Sequence, residues 1–199
     1  MPLLTLEEGT TLVKVARNAI KTYLERGTVT RPPKVSGKLK ERRGVFVTLT
    51  SGGELRGCIG YPIPHLPLIE AIIDAAISSA TRDPRFPPVT KDEIDEIEIE
   101  VSVLTDPSPI KVKHPSEYPK SIVIGRDGLI VELGAYAGLL LPQVAVELGW
   151  DAEEFLSQAC MKAGLPPDAW FEKGIKISRF TAQIFSEKEP NGEVFEKKL

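Results

Sequence analysis

Residues 45–50 (VFVTLT) alternate apolar and polar side chains, 51–53 (SGG) supply a turn, and 54–60 (ELRGCIG) bring the chain back beside the first run. Alternation with a period of two places successive side chains on opposite faces of a strand, and a short Gly-containing turn closes two strands into an antiparallel hairpin. A fold built around this unit needs a sheet with one buried face, and helices to cover it.

The rest of the chain supplies both. The box Thr5-Leu-Glu-Glu8 opens a helix to about Leu24, with Leu12, Val15, Ala16, Ala19, Ile20 and Tyr23 on one stripe and Gly27 as its stop. A second helix spans about 66–81, with Pro67 in its first turn and Ile69, Ile73, Ala76, Ile77 and Ala80 apolar. Ile97, Ile99, Val101 and Val103 alternate with Glu98, Glu100 and Ser102 in a long half-buried strand. Residues 122–124 and 129–133 read as a second hairpin around Arg126-Asp-Gly128, 141–150 as a short helix entered at Pro142, and 151–163 as another helix capped by Asp151. Residues 175–185 read as one final strand, and 187–199 as a flexible, charged tail. Strands paired in hairpins, with helices not strictly interleaved, predict an α+β fold: a mostly antiparallel sheet flanked by helices, with a smaller second lobe. The expected organisation is a single domain over 1–199, with a lobe boundary near 106–120.

The totals narrow the function. A net charge of −3 argues against broad electrostatic binding to nucleic acid or anionic membrane. No stretch approaches the ~20 apolar residues of a membrane helix, and the N-terminus has neither a basic n-region nor an h-region, so a cytoplasmic location is expected. Cys58 and Cys160 stand in unlike segments and read as reduced thiols. Two His and two Cys so scattered offer no zinc spacing, and no cofactor fingerprint occurs, so neither metal nor cofactor is expected. Only two Asn and three Gln beside 17 prolines is the composition of a heat-adapted protein.

Chemistry concentrates at 55–60 (LRGCIG). In a regular strand Arg56, Cys58 and Gly60 share one face and Leu55, Gly57 and Ile59 the other. Arg56 would then stand roughly 6.6 Å from Cys58, near enough for its charge to favour a thiolate. Gly57 and Gly60 leave backbone open to a ligand or to a bulge. A buried cysteine acting as a small hydrophobe is the plainer reading, and a one-residue bulge would turn the thiol inward. His65, seven residues on, is the available base for a Cys–His pair, although nothing identifies a third group to orient it. Asp83 and Arg85 lie on a proline-stiffened loop, where recognition residues tend to sit. Cys160 falls among helical core positions. Residues 31–43 carry six basic side chains against Glu41, without the interleaved aromatics of single-strand binders.

Residues 55–60 (LRGCIG), 83–88 (DPRFPP) and 141–150 (LPQVAVELGW) resemble, in order and spacing, the successive signatures of the AMMECR domain family. The family takes its name from a human chromosomal region linked to Alport syndrome, midface hypoplasia and elliptocytosis. The resemblance implies an α+β fold of a larger and a smaller lobe, with the LRGCIG hairpin near the cleft between them. It places Arg56 and Cys58 within a signature but supplies no reaction. Prokaryotic relatives are associated with Memo-type dioxygenase-like and radical-SAM proteins, which makes these the expected protein partners.

Three functions follow as expectations. The first is a ligand- or partner-binding accessory module around LRGCIG, using Gly57, Gly60, Asp83 and Arg85. The second is a thiol-dependent enzyme with Cys58 as nucleophile, Arg56 lowering its pKa and His65 as base. The third is an RNA-binding module using 31–43, whose affinity would fall steeply with salt.

Overall fold

The computed structural model describes residues 3–35 and 37–198. It divides into two compact units, one comprising Met1–Leu104 and Gln183–Lys198, the other Thr105–Ala182.

The larger unit begins with helix α1 (Leu6–Arg26), entered through the Thr5/Glu8 capping box with both reciprocal bonds present. Gly27 ends it at φ 67, a left-handed conformation that a Cβ would strain. The hairpin forms as β1 (Val45–Ser51) and β2 (Glu54–Tyr61), followed by helix α2 (Leu68–Thr81) and strand β3 (Ile97–Leu104). Pro67 sits at the N-cap of α2 rather than inside its first turn. Two late strands, β8 (Ala182–Glu187) and β9 (Val194–Lys197), complete a five-stranded sheet in the order β2-β1-β3-β8-β9. The segment 187–199, expected as a tail, thus contains β9, and its Val194 is buried in the core. Alternation does its work here: Val45, Val47, Leu49, Ile97, Ile99, Val101 and Val103 point to one face and are buried against Leu12, Ala16, Ile20, Ile72, Ala75 and Ala76 of the two helices. Arg17 is buried with them, its guanidinium shared between the Glu187 carboxylate and the Ile94 and Ile97 carbonyls.

The smaller unit holds β4 (Ser108–Pro109), β5 (Gly128–Leu133), β6 (Tyr136–Leu140) and β7 (Lys176–Phe180), ordered β4-β7-β5-β6. Helices α3 (Pro142–Glu147) and α4 (Ala152–Lys162) supply Ala145, Phe155, Leu156, Ala159 and Cys160 to its core, with Leu129, Val131 and Ile177 from the sheet. Cys160 is fully buried, as its helical position implied.

Two expected elements are corrected. Residues 122–124 are not a strand: Val123 is held in a loop in which its N–H donates to the Asp127 carboxylate and its carbonyl accepts the N–H groups of Arg126 and Asp127. The hairpin partner of β5 is β6. The final strand is also two, because the chain leaves the smaller sheet at Thr181, whose N–H goes to Thr105 Oγ1, before it enters β8. A hydrophobic run cannot reveal a change of sheet, since both halves are buried alike.

Candidate functional site

β2 is an edge strand, so one side of its backbone has no neighbouring strand. At Cys58 that edge is closed by the loop after α2. The Cys58 N–H donates to Asp83 Oδ2 at 2.8 Å, and the Cys58 carbonyl accepts from Arg85 Nη2 at 3.3 Å. One side chain thus offers an acceptor and the other a donor, as a paired strand would. The two also bind each other bidentately, Arg85 Nε to Asp83 Oδ1 at 2.9 Å and Nη2 to Oδ2 at 2.7 Å. The Asp83 side chain is only 2% exposed, whereas that of Arg85 is 52% exposed, with its guanidinium 5.5 Å from the Phe86 ring centre. The Arg85 guanidinium, helped by the Cys58 and Arg85 N–H groups, outweighs burial and holds the Asp83 carboxyl down to about 2.

The hairpin register shifts opposite Arg56: Leu49 pairs with Gly57 but Thr50 pairs with Leu55. This bulge removes Arg56 from the alternation, so the strand parity that would have set it beside Cys58 does not hold. Arg56 instead reaches Glu93, at 3.0 Å (Nε–Oε1) and 3.3 Å (Nη2–Oε2), and the Pro87 carbonyl at 2.9 Å. Glu93 also accepts the Thr90 N–H, and Arg56 before that bond draws its carboxyl down to about 2. Arg56 is therefore the clasp of the proline loop, anchoring 87–93 to the hairpin.

The cation that does touch Cys58 is Arg85. Burial nevertheless pushes the Cys58 thiol above its ordinary value, and neither the Thr48 hydroxyl, which donates to Sγ at 3.4 Å, nor Arg85 reverses this. His65 is exposed and stands edge-on to Tyr61, ring centres 4.6 Å apart. Tyr61 shares the helix-facing side of β2 with Gly57 and Ile59, opposite Cys58, and its hydroxyl donates to the Asp74 carboxylate. The expected thiol and base thus lie on different sides of the strand.

The space above the glycines is filled by the protein itself. A Cβ on Gly57 would overlap the Ser79 carbonyl, and one on Gly60 the Val45 carbonyl and the Phe46 ring. Helix α2 therefore rests its backbone directly on β2. Ser79 completes the junction: its Oγ accepts the Ile59 N–H at 2.8 Å and lies 2.8 Å from the Val47 and Ala75 carbonyls. Nothing in the sequence singles out Thr48 or Glu93. For Ser79 the available signal is a pair of serines in an otherwise apolar helix, ISSA at 77–80. The basic residues of 31–43 are mostly exposed, and Arg43 pairs with Glu41 at 2.7 Å. Among the described residues no cluster of three or more His, Cys, Asp or Glu could hold a metal ion, and no helix is long and apolar enough to cross a membrane.

The fold is shared with the crystal structure of an uncharacterized protein from Pyrococcus horikoshii, at a TM-score of 0.96 and 52% identity over the whole of both chains. A protein of Methanocaldococcus jannaschii is 60% identical over 100% of both chains, and one of Thermofilum pendens 55% identical over 100% of this chain and 99% of its own. These relatives are archaeal and thermophilic, in keeping with the composition. The AMMECR1 family model matches residues 13–185, and the chain belongs to the AMMECR1 family.

Proposed function

We propose that the chain is a binding module in which Arg85, presented at the LRGCIG strand edge, recognises an anionic group of a partner protein or small ligand. The observation that carries this reading is the divided environment of the Arg85 guanidinium. Its Nε–Nη2 edge is fixed by a buried carboxylate, while Nη1 has no partner among the described residues and half of the side chain is open. A guanidinium already held in place loses little rotamer freedom on binding, and the two N–H groups of Nη1 are left to donate to a carboxylate or phosphate oxygen. Arg56 and Glu93 support the reading by fixing the loop that carries Arg85.

The thiol-dependent alternative has less support, since Cys58 is shifted toward the neutral thiol, Arg56 is committed to Glu93, and His65 is on the other side of β2. The test is calorimetric titration of the purified chain with the Memo-type and radical-SAM proteins of its source. Arg85→Ala should weaken a measured complex about tenfold, the worth of a charge-assisted hydrogen bond, and Cys58→Ser should leave it within about twofold. Unchanged affinity in Arg85→Ala, or loss in Cys58→Ser alone, contradicts the proposal.

A further inference from the structure

The smaller unit carries a second arginine–aspartate cluster, and this one lines a pocket. Asp127 is 1% exposed and accepts the Val123 N–H at 2.9 Å. Arg126 binds it bidentately, Nε to Oδ1 and Nη2 to Oδ2, each at 2.7 Å, while its own side chain is 53% exposed. The same Oδ2 lies 4.0 Å from Nη1 of Arg179, which is 43% exposed and donates to the Ser121 carbonyl at 3.0 Å. Two guanidinium groups therefore meet at one carboxylate, which is already bound by Arg126 and a backbone N–H. Nε and Nη2 of Arg179 and Nη1 of Arg126 have no partner among the described residues.

These groups border a pocket of about 240 Å³. Its remaining walls are the ring of Phe180, packed where Gly128 has no side chain, and the hydroxyl residues Thr105, Ser108 and Thr181. Asp106, exposed and without a partner among the described residues, completes the lining. The volume is below that of sites for drug-sized molecules, and suits a small metabolite. Paired guanidiniums are the chemistry of oxyanion recognition, and the three hydroxyls, which donate within the protein at 3.4 Å, keep the wall polar.

We propose that this pocket binds a small oxyanion, the phosphate or carboxylate group of a metabolite-sized ligand, between the guanidinium groups of Arg126 and Arg179. Asp106 sets a limit on the charge the pocket accepts, since it repels the same anion. The site is separate from that at Arg85, and each can fail without the other.

The experiment is an amide NMR titration of the full chain with inorganic phosphate, repeated with acetate. Saturable shifts should centre on Ser108, Arg126, Asp127 and Arg179, and persist in Arg85→Gln. Arg179→Gln should weaken binding about tenfold, for the loss of charge-assisted hydrogen bonds. Because Arg179 also holds the Ser121 carbonyl, Asp106→Asn is the companion variant: it touches no bond of the fold and should tighten binding roughly threefold by removing a repulsive surface charge. Tighter binding of phosphate assigns a phosphate group, and of acetate a carboxylate; either upholds the proposal. Shifts that do not saturate with either anion, shifts centred on Cys58 and Arg85 instead, or affinity unchanged in both variants would overturn it.

Discussion

The pairs Asp83–Arg85 and Asp127–Arg126 are the same device built twice, once in each unit. Each has an aspartate sealed from solvent, an arginine bound to it bidentately, half its side chain open to solvent, and a backbone N–H, of Cys58 or Val123, donated to the carboxylate. They differ in what the device holds. At Asp83 it closes the edge of β2, so the arginine is both a strand substitute and an exposed cation. At Asp127 it pins a loop, and a second arginine stands beside it over a pocket. The shared geometry serves stability, and the two arginines differ in what surrounds them.

Removing either carboxylate gives the largest effect that would break this equivalence. Asp83→Ala and Asp127→Ala each leave a backbone donor unpaired and an arginine uncompensated, at a cost of about 3 kcal/mol. Thermal or denaturant unfolding measures it, and near-equal losses are expected. Asparagine separates the hydrogen bond from the charge. Because it keeps an acceptor for the N–H, Asp83→Asn and Asp127→Asn should each recover about half of that loss; no recovery would place the whole contribution in the ion pair.

Next in size is the contact of helix and strand, which only the Asp83 site has. Gly57→Ala drives a Cβ into the Ser79 carbonyl and should cost about 2 kcal/mol, seen as a lower unfolding midpoint. A wild-type midpoint would mean that α2 does not rest on β2 at this point.

The pH dependence is similar in scale. A carboxyl held at about 2 in the folded chain and near 4 when unfolded stabilises the fold by about 2 kcal/mol above the unfolded value, and that contribution is lost as the pH falls from about 5 toward 2. Asp127 follows the same sign: burial would raise it, but Arg126 and the Val123 N–H prevail and leave it below the ordinary value. Stability measured from pH 7 downward should therefore fall less steeply in Asp83→Asn than in the wild type. An unchanged slope would show that Asp83 titrates normally.

The two sites are unequally legible in the sequence. Prolines at 84, 87 and 88 mark a stiff loop, which by itself singles out Asp83 and Arg85. Arg126-Asp-Gly128 reads as an ordinary turn, and Arg179 lies about 50 residues away, so nothing local joins them. The alternation at 45–60 correctly locates the hairpin and the face of Cys58, because burial enforces a period of two. It misplaces Arg56, because Gly57 permits a bulge but only the pairing of the two strands decides where the register shifts. The glycines read as openings, yet what fills them, the Ser79 carbonyl and the Phe46 ring, comes from elsewhere in the fold. The side-chain-capped starts of α1 and α4 are read closely, since caps are local chemistry, whereas α3, expected over 141–150, is only Pro142–Glu147.

A held arginine beside a neutral thiol is the arrangement proposed to act at the LRGCIG site. The pH profile of iodoacetamide labelling at Cys58, followed by peptide mass spectrometry on the native chain, tests it most directly. Labelling slower than that of a free thiol is expected at neutral pH, with a midpoint above the ordinary value of 9.0. Rapid labelling with a midpoint below about 8 would mean that Arg85 stabilises a thiolate, and would make Cys58 the reactive centre of the site.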